Sequence, residues 1–142
     1  CNHCPYVQSI LMDLVVATKK LKAAGVNTVA IMSNNWQDYP DDSPEKMQEL
    51  KKKLDFSFPY LIDETQEIAK KYGAVCTPDF FGYNNKLELQ YRGRFDARGR
   101  EAAPSDNSHQ SELEQAMLLI AKTGAGPMEQ KASVGCSIKW RE

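Results

Sequence analysis

The chain has 142 residues, 42% apolar and 26% charged, with a formal net charge of −1. That is the size of one domain and the composition of an average globular protein, which excludes a disordered, collagen-like or membrane-embedded chain. No apolar run approaches the roughly 20 residues that cross a bilayer. The near-neutral charge gives no footprint for nucleic acid, although Arg92, Arg94, Arg98 and Arg100 form one basic cluster. Four cysteines, Cys1, Cys4, Cys76 and Cys136, are too few and too unevenly spaced for a disulfide-stapled scaffold and read as chemical rather than structural.

Val7, Ile10, Leu11, Leu14, Val15 and Leu21 recur at helical spacing, with Gly25 to end a long first helix. Pro5 suits its first turn, which places the Cys1-Asn2-His3-Cys4 segment at a helix N-terminus, with Cys4 entering that turn. Val26 to Met32 reads as a buried strand and Trp36 to Asp42 as a polar loop. Ser43 offers a cap and Pro44 the first position of a second helix with Met47, Leu50 and Leu54 on one face. Phe58 to Ile62 reads as a short extended segment. Asp63 and Gln66 resemble a capping box ahead of a short helix that carries Ile68, Ala69 and Tyr72 and stops at Gly73.

Asp79 to Tyr83 and Leu87 to Gly93 form an expected hairpin with Asn84-Asn85 as its turn and Leu87, Leu89 and Tyr91 alternating. A last helix has Leu113, Ala116, Met117, Ile120 and Ala121 on one face and closes at Gly124; residues 125–142 are a tail without periodicity. The order is that of a single α/β domain over residues 1–142. A βα unit with a functional helix N-terminus receives its chain from a strand, so a strand is expected ahead of Cys1 and is missing here. The reading is an N-terminally truncated domain, or one completed by a strand swapped from another chain.

A thiolate is the nucleophile of disulfide exchange, and a helix N-terminus favours it through unpaired N–H groups and the helix dipole. Cys1 would be the attacking thiol and Cys4 the resolving thiol; His3, as an imidazolium, would stabilise the Cys1 thiolate. This chemistry needs no metal or organic cofactor. A tetrahedral zinc site would need a second ligand pair, which the spacing does not supply. His3, His109 and Cys136 could join Cys1 and Cys4 around a soft metal, although His109 reads better as a solvated residue near a helix start. Thr77-Pro78 is either a cis peptide or a trans proline opening a strand.

The stretches Cys1-Asn2-His3-Cys4-Pro5-Tyr6-Val7, Phe58-Pro59-Tyr60-Leu61-Ile62-Asp63, Val75-Cys76-Thr77-Pro78-Asp79-Phe80-Phe81 and Gly135-Cys136-Ser137-Ile138-Lys139-Trp140 resemble the thioredoxin superfamily. Within it they are similar to the redoxin-like branch grouped with alkyl hydroperoxide reductase and thiol-specific antioxidant proteins. The resemblance implies a thioredoxin fold, a central mixed sheet flanked by helices. It also implies a cis Pro78 facing the Cys pair, with the backbone at Thr77 free to pair with an extended substrate.

With the Cys pair it points to a thiol–disulfide oxidoreductase acting on a protein or low-molecular-weight thiol; the charge and the apolar run lengths above give the expectation of no nucleic-acid partner and no membrane span. The alternatives are a thiol peroxidase with Cys1 peroxidatic, and a copper- or zinc-binding chaperone on the same fold. Cys76 and Cys136 are each either buried packing or a further redox thiol. The cytoplasm is slightly favoured over a periplasmic or secreted location, and oligomeric state is left open.

Overall fold

The computed structural model describes residues 1–100 and 110–141. Helix α1, Pro5–Ala23, is the spine of the molecule. Its apolar residues fall on two faces rather than one. Ile10, Ala17 and Leu21 meet Tyr91, Phe95, Leu113, Ala116, Met117 and Ile120, while Cys4, Val7, Leu11 and Val15 meet Phe56 and Phe58. Each fully buried Leu, Ile or Phe contributes roughly 1.5–3 kcal/mol of transfer free energy, so α1 is held from both sides. Pro5 takes the first helical position and Cys4 is the cap residue, one position earlier than the expected first turn.

Strand β1, Ala30–Met32, pairs in parallel with β2, Tyr60–Ile62. The strand expected over Val26–Met32 is thus cut to its last three residues. Among the described residues no strand pairs with residues 26–29, and Val29 and Ile31 are 55% and 42% exposed where burial was expected. Between β1 and β2 lie a 3-10 turn, Pro40–Asp42, inside the expected polar loop, and helix α2, Pro44–Leu54. Ser43 caps α2 as expected, its hydroxyl accepting from the Lys46 N–H at 3.3 Å.

Helix α3, Glu67–Tyr72, begins without the expected capping box. Asp63 alone accepts from the N–H groups of Ile68 and Ala69. Gln66 points elsewhere: its amide donates to the carbonyls of Ser33 and Lys139 and accepts from the Arg141 N–H. A buried side chain 2% exposed is thereby spent on holding distant backbone.

Strands β3, Phe80–Tyr83, and β4, Leu89–Gly93, form the expected antiparallel hairpin. The turn is longer than Asn84-Asn85, because the Asn84 carboxamide oxygen accepts from both Lys86 and Glu88. Leu87 is pulled out of the strand into the left-handed region, φ +62°, and is 83% exposed. Helix α4, Glu112–Thr123, packs against α1 and the hairpin and ends at Gly124, φ +80°, as expected; Ala121 is exposed rather than on the apolar face.

Among the described residues, β1 and β2 form one two-stranded sheet and β3 and β4 another. Both parallel and antiparallel pairing, the two kinds found in a mixed sheet, are therefore present. No helix among the described residues is long and apolar enough to cross a membrane. His109 lies outside the described residues.

Candidate active site at the N-terminus of α1

The segment ahead of α1 is fixed by hydrogen bonds through Asn2. Its N–H donates to Asp42 at 2.7 Å, its amide donates to the Asp41 carbonyl at 3.0 Å, and its carboxamide oxygen accepts from the Tyr60 hydroxyl at 2.7 Å. Asp42 has no exposed surface and also accepts from the Asn34 amide at 3.0 Å. His3 Nδ1 lies 2.6 Å from Asp42 Oδ2, a close contact without the alignment of a hydrogen bond. The Cys1 sulfur, one His3 ring nitrogen and one Asp42 oxygen all lie within 4.8 Å of one another. Thus the His3 ring lies close to both a thiol and a buried carboxylate.

Thr77 brings the two cysteines of the motif together. Its peptide bond to Pro78 is cis, as the resemblance implied. Cys1 Sγ lies 3.5 Å from the Thr77 hydroxyl and Cys4 Sγ 3.3 Å from the Thr77 carbonyl oxygen. Cys1 is half-buried and Cys4 has no exposed surface. Burial pushes the Cys4 thiol up. Hydrogen bonds from Cys136, the Thr77 hydroxyl and the Val7 backbone N–H outweigh it, so Cys4 sits below the ordinary thiol range.

Cys136 is the residue whose placement the sequence left most open. Its backbone forms an antiparallel bridge with Thr77, through Thr77 N–H to Cys136 O at 2.9 Å and Cys136 N–H to Thr77 O at 3.1 Å. Its sulfur lies 2.6 Å from Cys4 Sγ, and all four cysteines are unlinked. Burial, then its hydrogen bond to Cys4, hold the Cys136 thiol above the ordinary range. The backbone at Thr77, expected to be free for a substrate, is therefore occupied by the chain's own tail.

Cys76 stands apart from these sulfurs' contacts. It is buried, with its sulfur 3.5 Å from the Pro78 carbonyl, and its thiol is pushed up to about 11 by burial, with Asp79 adding to it. The basic cluster is largely neutralised: Arg92 pairs with Asp79, Arg94 with Glu112, and Arg98 with Asp13 and Asp96. The structure brings Cys1, His3, Cys4 and Thr77, each singled out in the sequence, to one place and adds Asn2, Asp42 and Tyr60, to which the sequence reading gave no role. Gln66, expected in a capping box, anchors the tail instead. For Asp42 the local signal was the Asp41-Asp42 pair following Pro40.

The profile of the AhpC/TSA family matches residues 1–95. A structure described as an uncharacterized conserved protein from Geobacillus kaustophilus is 42% identical, with a TM-score of 0.87 over 99% of this chain and 74% of its own. A hypothetical protein from Sinorhizobium meliloti 1021 is 36% identical, with a TM-score of 0.88 over 99% of this chain and 75% of its own. A search of curated proteins gave no match. These strand pairings and the likeness to the two solved structures give the chain the thioredoxin fold. The chain belongs to the AhpC/TSA family, and its redox chemistry is in general that of a thiol oxidoreductase or peroxidase.

Proposed function

We propose that the protein is a thiol–disulfide oxidoreductase that exchanges a Cys1–Cys4 dithiol with the disulfide of a protein or low-molecular-weight substrate. The carrying observation is the convergence of both sulfurs on Thr77, Cys1 half-buried and Cys4 fully enclosed. Only the first is reached from outside. Cys1 thiolate attacks one sulfur of the substrate disulfide, and the other substrate sulfur leaves as a thiolate. Cys4 thiolate then attacks the Cys1 sulfur of the mixed disulfide, which closes Cys1–Cys4 and releases the second substrate thiolate. His3 is placed to exchange a proton with Cys1 or with the departing sulfur.

A second reading has one observation in its favour. Cys1, His3 and Asp42 could supply three ligands to a zinc or copper ion. One experiment separates the two: equilibrium redox titration of the Cys136→Ser protein, with thiol trapping and peptide mapping by mass spectrometry. The oxidoreductase gives one reversible two-electron transition confined to Cys1 and Cys4, with a potential between about −270 and −120 mV. No reversible disulfide, or a stoichiometric metal that protects Cys1 from trapping, would overturn it.

A further inference from the structure

Cys4 is enclosed, yet two sulfurs of the same chain have access to its surroundings. Cys1 shares Thr77 with it from the N-terminal side, and Cys136 lies 2.6 Å from it. The second approach is built into the fold rather than left to a loose end. Upstream of Cys136, the Ser133 hydroxyl donates to the Gly93 carbonyl at 2.7 Å and to Asp79 at 2.9 Å, and the Lys131 carbonyl accepts from the Arg94 N–H at 3.1 Å. Downstream, the Lys139 N–H donates to Asn34 at 2.9 Å, and the Lys139 carbonyl accepts from Asn35 at 2.7 Å and from Gln66 at 2.8 Å. Ile138 is buried between these anchors.

Gly135 completes the seat. A Cβ there would overlap the Thr77 carbonyl, so a residue without a side chain is needed for the tail to lie flat on the Thr77 edge. An extended peptide carrying a disulfide to these thiols would use the Thr77 N–H and C=O, which are the edge groups nearest them. Cys136 uses both. The tail thus occupies the place of a bound peptide and presents its cysteine as such a peptide would.

We propose that Cys136 is a third redox thiol, forming with Cys4 an internal disulfide that alternates with Cys1–Cys4 while the tail acts as a built-in peptide on the Thr77 edge. The inference rests on the Cys1–Cys4 reading above. Starting from the Cys1–Cys4 disulfide, Cys136 loses its proton to solvent and its thiolate attacks Cys4 Sγ. The Cys4–Cys136 bond forms, the Cys1–Cys4 bond breaks, and Cys1 leaves as a thiolate that takes up a proton. The exchange moves one disulfide and consumes no oxidant. It stores the oxidised state at the enclosed sulfur, fastens the tail over Thr77 and returns Cys1 to its thiol form.

The test uses the full chain as wild type, Cys1→Ser and Cys136→Ser, each equilibrated with mixtures of oxidised and reduced glutathione, acid-quenched, trapped and peptide-mapped. The proposal expects a Cys4–Cys136 cross-linked peptide as the main oxidised form of Cys1→Ser, and both cross-links in the wild type. If Cys1→Ser shows only glutathione adducts while Cys136→Ser still closes Cys1–Cys4, the relay is overturned and the oxidoreductase reading stands. If Cys136→Ser closes no disulfide, that reading falls and the alternation with it. Gly135→Val supplies a second variant that keeps every thiol. The proposal expects its Cys4–Cys136 cross-link to be largely lost and its Cys4 to be alkylated faster than in the wild type, with the far-ultraviolet circular dichroism retained. An unchanged cross-link would overturn the tail's role as a seat for Cys136.

Discussion

His3 Nδ1 lies 2.6 Å from Asp42 Oδ2, and Asp42 has no exposed surface. The carboxylate therefore has protein partners in place of water: the His3 ring, the Asn2 N–H and the Asn34 amide. It joins the segment that carries Cys1 to the loop after β1. Chemistry and local stability meet in one side chain.

Replacing Asp42 by Ala leaves the buried Asn34 amide without its acceptor and is expected to cost roughly 1–3 kcal/mol, read as a lowered denaturant midpoint. Asp42→Asn keeps an acceptor oxygen and costs less. Both should slow exchange of Cys1 with a small aromatic disulfide by about tenfold, the scale of about 1.4 kcal/mol of lost positioning of His3. An unchanged exchange rate in both variants would show that His3 is not held by Asp42 for this step.

The Cys4 thiol is held low chiefly because its hydrogen bonds, the one from Cys136 foremost, outweigh burial. A lowered value means that the thiolate persists to lower pH. Removing the donor in Cys136→Ala must therefore move the Cys4 titration to higher pH. Thiolate absorbance in the ultraviolet, followed against pH in a Cys1→Ser background, reads this directly. A curve that stays in place or moves to lower pH would mean that Cys136 does not stabilise the Cys4 thiolate.

Cys76, pushed up to about 11, is expected to remain a protonated thiol at neutral pH and to be the slowest of the four cysteines to alkylate in the folded protein. Cys76→Ala should leave disulfide exchange unchanged and cost about 1 kcal/mol through lost packing. A Cys76 adduct formed as fast as the Cys1 adduct would assign it a redox role.

Gln66 bonds the Ser33 and Lys139 carbonyls and the Arg141 N–H from a buried position. Gln66→Ala should destabilise the fold by roughly 1–3 kcal/mol and loosen the tail. Amide hydrogen exchange would then show faster exchange at Cys136 and Arg141, with α1 little changed. Equal acceleration throughout the chain would mean that Gln66 supports the whole fold and not the tail in particular.

What the sequence determined by itself was local. Helix periodicity, Pro5, the Ser43 cap and the stops at Gly73 and Gly124 each act within a few residues, so their physics is complete in a short window. The placement of Cys1 and Cys4 at a helix N-terminus follows from that same window. Tertiary structure decided everything that depends on partners far along the chain. It shortened β1, since no strand among the described residues pairs with residues 26–29, and it turned Gln66 from a cap into an anchor for residues 139 and 141. It enclosed Asp42 and brought Cys136 to Cys4 across 132 positions of sequence. A hydrogen-bond donor or a thiol carries no mark in the sequence of which distant group will meet it; packing two apolar faces of α1 fixes the geometry, and the polar pairings follow from that.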